Sequence, residues 1–156
     1  MRQSSIIALL LILSAWGHVS GQSIPWTQWE HLEDSLKKQP KPVYLFIHTD
    51  WCRYCRMQEK VSFKDPQVLA IISDQYYALQ LNAEDTATIQ FKNSTYYFDS
   101  SQGYHQLALT FKQVQQTLTF PTHVFLTAEL DQPNQLPGYL RKNELLAALV
   151  GWANRQ

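Results

Sequence analysis

Apolar positions along the chain follow two rhythms. Trp26, Trp29, Leu32 and Leu36 recur every three or four residues, a spacing that places them on one face of a helix. Pro25 and Thr27 mark its start, and Pro40 and Pro42 forbid continuation past Gln39. Val43-Tyr44-Leu45-Phe46-Ile47 has no polar interruption and is β-branched and aromatic, which predicts a central strand covered on both faces. Cys52 to about Phe63 reads as helix, with Thr49 and Asp50 offering capping groups. A shorter helix runs through Ile72, with Asp65 as N-cap and Pro66 at the first helical position. Tyr76 to Leu81 and His123 to Thr127 read as further strands, the latter led in by Phe120-Pro121-Thr122. Arg141 to Trp152 closes the chain as an amphipathic helix with Leu145, Leu146, Leu149 and Trp152 inward.

Between Asn82 and Thr119 the pattern is weaker. Thr86 to Phe91 reads as the start of a helix, residues 93–95 and 99–103 as loops, and Tyr104 to Phe111 as helix again. Asp131 to Gly138 is turn-rich, with a weak edge strand expected near it. Helices and strands alternate along one stretch of chain, which predicts a single α/β domain with a central mixed sheet flanked by helices. A helical and loop insertion is expected around 91–111. It carries Phe91, Tyr96, Tyr97, Phe98, Tyr104 and Phe111, expected to pack the insertion onto the core, with a partner-docking surface as the alternative.

Composition narrows the function classes. With 156 residues, 45% of them hydrophobic and 17% charged, the chain suits one domain with a real core. The 13 basic and 13 acidic side chains cancel, which removes the electrostatic footprint of a nucleic-acid binder. Residues 1–21 have the order of a secretory signal peptide: Arg2, the apolar run Ile6 to Leu13, then small residues to Gly21. The run is too short to span a bilayer. The expectation is an exported protein comprising residues 22–156, periplasmic or otherwise secreted, with no stable membrane insertion after cleavage.

The candidate chemistry lies in Trp51-Cys52-Arg53-Tyr54-Cys55, where an apolar strand gives way to a helix. Two cysteines three apart at a helix start can close a disulfide across one turn. Such a bridge constrains no long loop and stabilises little, so it suits being made and broken. The helix N-terminus and Arg53 favour a thiolate at Cys52. Cys52 is expected to be the exposed nucleophile and Cys55 the more buried resolving thiol. A structural disulfide and a soft-metal thiolate site are the alternatives. His31, His105 and His123 have no metal-like spacing and read as surface or core residues. No cofactor and no metal are expected.

These residues resemble the thioredoxin superfamily, specifically exported thioredoxin-like proteins similar to the C-terminal reductase domain of DsbD. The likeness is carried by Asp50-Trp51-Cys52-Arg53-Tyr54-Cys55 after a hydrophobic strand, by residues 61–68, by Leu81-Asn82-Ala83 and by Phe120-Pro121-Thr122. It implies a thioredoxin-like fold, a cis bond before Pro121, and Phe120 offering backbone groups to an incoming peptide. Trp51, Arg53 and Tyr54 would border that peptide. Where the family commonly has a buried Asp, this chain has Phe46, which cannot exchange protons. Glu59, four residues beyond Cys55 on the same helix face, matches a second acidic position and is the candidate acid–base partner of Cys55.

The function implied is thiol–disulfide exchange on protein disulfides outside the cytoplasm, as a reductant, with a membrane or soluble electron-donor thiol protein as partner. The competing expectation is a non-catalytic thioredoxin-fold module that docks peptides or acts as a chaperone.

Overall fold

The computed structural model describes residues 23–112 and 117–155; the expected signal peptide lies outside them. Helix α1 (Trp29–Lys38) leads into β1 (Val43–His48), followed by α2 (Arg53–Lys60), a 3-10 turn (Ser62–Lys64), α3 (Pro66–Gln75) and β2 (Tyr77–Asn82). After β2 come the short strands β3 (Ile89–Phe91), β4 (Ser94–Tyr96), β5 (Phe98–Asp99) and β6 (Tyr104–His105), then α4 (Gln106–Thr110). Strands β7 (Thr122–Leu126) and β8 (Asn134–Pro137) and helix α5 (Lys142–Ala153) complete the chain.

The main sheet has the order β2-β1-β7-β8. β1 pairs parallel with β2 and antiparallel with β7, and β7 pairs antiparallel with β8. A parallel β1–β2 pair needs a long crossover, which α2 and α3 supply. The run Val43 to Ile47 is buried throughout, as its lack of polar residues requires for a strand covered on both sides. Its alternation divides the core. Tyr44 and Phe46 join Phe125 in a cluster with Cys52, Cys55, Phe63, Val68, Ile72, Leu145 and Trp152. Val43, Leu45 and Ile47 join Val124 and Leu126 in a cluster with Leu32, Ile89, Phe91 and Leu107. Each fully buried Leu, Ile or Phe contributes roughly 1.5–3 kcal/mol of transfer free energy.

Several elements differ from the pattern-based expectation. Trp26 does not belong to α1. It bridges to Ala78, the Thr27 N–H donates to the Ala78 carbonyl at 2.7 Å, and the ring packs on Phe46 and Phe63. That extended pairing delays the helix to Trp29. Neither Thr49 nor Asp50 caps α2; Cys52 is the cap residue. Thr86 to Phe91 is not helical. Ile89, Gln90 and Phe91 alternate buried, exposed, buried in a hairpin whose turn residues Lys92 and Asn93 both have positive φ, as a two-residue hairpin turn requires.

Tyr104 and His105 likewise form a strand before the helix begins at Gln106. Asp99 holds the preceding turn by accepting from the backbone of Ser101 and Gln102. The insertion is thus two small hairpins and one short helix. The turn-rich stretch from Asp131 contains the edge strand β8. These pieces are short, and their order comes from contacts with the core, which local patterning does not encode.

Candidate active site

The site begins where β1 ends. Residues 49–51 turn the chain into α2, with the Cys52 N–H donating to the Thr49 carbonyl at 3.3 Å. Cys52 has an extended backbone and its Sγ accepts the Cys55 N–H at 3.0 Å. Cys52 and Cys55 form a disulfide with their Cα atoms 5.2 Å apart. The sulfur of Cys52 therefore lies among the unpaired N–H groups that open the helix, where negative charge is favoured. Cys52 is 4% exposed and Cys55 1%. Both are therefore buried, and Cys52 is not the exposed thiol anticipated from sequence: in the oxidised pair it packs in the same core cluster as Cys55.

The exposed part of the site is aromatic. Trp51 is 60% exposed and Tyr54 59%. The Trp51 indole N–H donates to Glu84 Oε1 at 2.9 Å, which fixes the ring across the end of β2. Its other neighbour is Phe120, edge-on at 5.9 Å. Arg53 is exposed, while Arg56 donates back to the Asp50 carbonyl at 2.8 Å and braces the turn. The Phe120–Pro121 peptide bond is cis. The Pro121 carbonyl accepts the Gly138 N–H at 2.7 Å, and Gly138 has φ +90, a conformation in which a side chain would be strained. A groove lined by Tyr54, Thr119, Phe120, Gly138, Tyr139 and Arg141 runs beside this turn.

Glu59 is half-buried, and its Oε1 accepts from Gln80 at 3.2 Å rather than from either cysteine. Gln80 is the ladder partner of Phe46 on β2. The His48 ring stacks on Phe46 at 5.5 Å. Burial lowers its pKa, while the carboxylates of Glu59 and Asp50 pull the other way. Among the described residues, no group of three His, Cys, Asp or Glu side chains is placed to hold a metal ion.

Three further residues lie beside the site: Gln58, which the sequence did not single out, His123, read there as a surface or core residue, and Tyr104, named there only among the aromatics of the insertion. Tyr104, from the insertion, packs on Phe120 at 5.5 Å and so joins the aromatic border of the site. Gln58 is fully buried and accepts the Leu140 N–H at 2.9 Å, tying α2 to the segment that enters α5. His123 is fully buried on the active-site face of β7 and contacts Tyr44 and Phe46. The sequence signal of His123 is a lone polar ring inside an apolar strand and that of Tyr104 its place among the aromatics of the insertion; Gln58 has none.

A family model described as a thioredoxin-like domain matches residues 30–151. The chain belongs to the thioredoxin-like domain family. Its relatives include the thiol:disulfide interchange protein DsbD of Citrobacter koseri, 29% identical over 109 residues, which is 64% of this chain and 19% of that protein. Spermatogenesis-associated protein 20 of Homo sapiens is 22% identical over 81 residues, 51% of this chain and 10% of that protein. The chain thus spans only a tenth to a fifth of the length of these curated relatives. Among solved structures, the reduced C-terminal domain of Neisseria meningitidis DsbD aligns with a TM-score of 0.54 at 14% identity, covering 79% of this chain and 91% of that one. The shared fold places the Cys52–Cys55 pair and the Pro121 turn at one end of the thioredoxin-like sheet.

Proposed function

We propose that this thioredoxin-like protein is a thiol–disulfide oxidoreductase that acts on protein disulfides outside the cytoplasm, and that it works as a reductant. The observation that carries the reading is the Cys52–Cys55 disulfide at the start of α2, with the Cys52 sulfur accepting a backbone N–H. The likeness to DsbD supports the direction, and the signal-like pattern of residues 1–21 supports export. Among the described residues no helix is long and apolar enough to cross a membrane.

The steps follow from the chemistry of thiolates. A donor dithiol, membrane-bound or soluble, first reduces the pair with two electrons. The Cys52 thiolate then attacks one sulfur of a substrate disulfide; that bond breaks, a Cys52–substrate disulfide forms, and the departing thiolate takes a proton from water. Cys55 loses its proton, with Glu59 in the role of acceptor, and attacks Cys52 Sγ. The second substrate thiolate leaves, and the pair is oxidised again. Tyr54 and Phe120 line the groove in which the substrate chain lies, and Trp51, Arg53 and Pro121, their chain neighbours or contacts, meet that chain on its way to the disulfide. The Pro121 carbonyl is occupied by Gly138, so the contact to a substrate backbone falls to Phe120.

The deciding experiment is the equilibrium reduction potential of the Cys52–Cys55 pair in dithiol buffers. A value near ~−270 mV supports a reductant, and one near ~−120 mV makes the protein an oxidant. A pair that never cycles, in a protein that still binds peptides after Cys52→Ser, establishes a docking module instead.

A further inference from the structure

Helix α2 presents two faces with different partners. Cys55 and Glu59 stand four residues apart on one, and Glu59 meets Gln80 of the sheet. Tyr54 and Gln58 stand four residues apart on the next. Tyr54 is exposed, whereas Gln58 and, in the turn that follows, Ser62 are completely buried. Both buried side chains end on the same distant residue. Gln58 Oε1 accepts the Leu140 N–H at 2.9 Å, and the Ser62 hydroxyl donates to the Leu140 carbonyl at 2.7 Å. A backbone N–H can only donate, so the oxygen of the Gln58 amide must be the atom that faces Leu140. With its own proton given to Leu140, Ser62 is left to accept from the Tyr139 hydroxyl, 3.4 Å away.

The segment so held has no ladder of its own. Residues 138–141 join the end of β8 to the start of α5 and belong to neither. At one end the Gly138 N–H donates to the Pro121 carbonyl at 2.7 Å, and at the other the Arg141 N–H donates to Glu144 Oε2 at 2.8 Å. Between them, Leu140 packs against the cluster that contains Cys52 and Cys55. Its neighbours Tyr139 and Arg141 line the groove together with Tyr54. One part of the groove therefore stands on the cysteine-bearing helix and another on an irregular strip, and Gln58 and Ser62 tie the strip to the helix.

Resting on the oxidoreductase reading, we propose that Gln58 and Ser62 are positioning residues for protein substrates: by gripping both the N–H and the carbonyl of Leu140, they hold Tyr139 and Arg141 in a fixed relation to Tyr54 and the cysteine pair. Two bonds to one residue fix its rotation as well as its place, so the side chains before and after it are aimed and not merely tethered. The substrate served is an extended protein chain that lies in the groove while its disulfide reaches Cys52. A small disulfide needs the cysteine alone.

Stability does not account for the grip. Gln58 Nε2 is buried with no partner among the described residues, a cost that an apolar side chain of similar volume avoids. What a buried polar contact adds over an apolar one is a single defined geometry. That geometry matters here because the strip has no strand or helix to define it.

The test compares a disulfide-bonded protein with a small aromatic disulfide as substrates of the full chain. Ser62→Ala and Gln58→Leu are each expected to raise KM for the protein disulfide by about 3- to 10-fold, below the ~10²-fold that a displacement of about 1 Å can cost. The kcat, the reduction potential of the pair and turnover of the small disulfide stay at wild-type values. A second measurement uses Cys55→Ser, which traps a mixed disulfide on Cys52. In its ¹⁵N spectra the Tyr139 and Arg141 amides are expected to shift when the trapped partner is a linear peptide carrying one cysteine, and to stay in place when it is 2-mercaptoethanol.

A wild-type KM for the protein disulfide in Ser62→Ala, or an equal loss on both substrates, overturns the assignment and leaves the two residues as packing between α2 and the strip. Tyr139 and Arg141 amides that ignore the trapped peptide overturn it as well. Ser62→Ala removes a single oxygen and decides the matter if Gln58→Leu does not fold. If the wild-type pair does not cycle in dithiol buffers, the oxidoreductase reading fails and this inference with it. If the pair cycles while Ser62→Ala handles both substrates as wild type does, only the inference fails.

Discussion

Trp51 and Phe120, far apart in sequence, meet edge to face with ring centroids 5.9 Å apart and planes at 87°. The contact joins the residue before Cys52 to the residue before Pro121, so the two chain segments that border the disulfide are held as one surface. Tyr104 extends the surface by packing on the other side of Phe120. Three aromatic rings from three separate segments thus frame the site, and one of them comes from the insertion.

This arrangement predicts that Tyr104→Ala impairs the enzyme on large substrates. An aromatic pair contributes ~0.5–1.5 kcal/mol beyond its area, so KM for a protein disulfide should rise about 2- to 10-fold. Turnover of a small aromatic disulfide should be unaffected. Steady-state kinetics on both substrates checks it; an equal loss on both would place Tyr104 in general stability instead.

For the acid–base role of Glu59, the informative variant is Glu59→Gln, which preserves a hydrogen bond to Gln80 and removes the proton acceptor. Formation of the mixed disulfide at Cys52 should be unchanged. Its resolution by Cys55 should slow by ~10²-fold, the lower end for a general base. Quenched-flow trapping of the mixed disulfide separates the two steps. Cys55→Ser should accumulate the same intermediate without resolving it.

Acid should destabilise the oxidised protein through His123. Its pKa is about 3 in the fold against ~6.5 in an unfolded chain. Between those values the unfolded chain binds a proton that the native state refuses, so stability rises with pH in that window. The contribution is complete above the unfolded value and is lost as pH falls toward the folded one. His48, lowered by burial, acts in the same direction. Urea midpoints should therefore be lower at about pH 4.5 than at about pH 7, and His123→Leu should narrow the difference.

Asp65 acts in the same direction in a more acidic window. It caps α3 by accepting from the Gln67 N–H at 2.9 Å and the Val68 N–H at 3.3 Å, and it pairs with Lys142 at 2.8 Å. The Lys142 hydrogen bond, ahead of the two backbone donors, holds its carboxyl below the usual 3.8. A depressed carboxyl pKa stabilises the fold above the unfolded value and ceases to do so as pH falls through the folded one. Asp65→Ala should lower Tm by a few degrees at neutral pH. The gap from wild type should close as pH drops below 3.8, as scanning calorimetry would show.

Phe46 tests the core beneath the site. It is fully buried and its ring meets Trp26, Phe63, His48 and His123. Phe46→Ala should cost roughly 3–5 kcal/mol in unfolding free energy, the usual price of a large aromatic cavity. Denaturant titration measures it; a cost under about 1 kcal/mol would mean that the neighbouring rings collapse into the space.

The elements best read from sequence are those whose signals are local. The uninterrupted apolar run of β1, the Asp65-Pro66 start of α3 and the apolar face of α5 each state their structure within a dozen residues, and each is present. So does the Cys52–Cys55 spacing at a helix start. The hairpins from Ile89 to His105 were not legible in this way. Their strands are two or three residues long, and they are ordered by contacts such as the His105 N–H on the Ala83 carbonyl at 2.7 Å. Trp26 was assigned to α1 for the same reason: its helical spacing is local, while the Ala78 partner that overrides it is on β2.

By itself, then, the sequence determined the α/β order, the central strand and the cysteine pair that carries the chemistry, because periodicity, capping and short spacing act between near neighbours. Only the tertiary structure decided what surrounds that pair. The rings of Trp51, Phe120 and Tyr104 converge from three segments, Glu59 is held by Gln80, and His123 comes to lie opposite Phe46. These relationships depend on strand order and register, which place distant residues side by side and which no local pattern specifies.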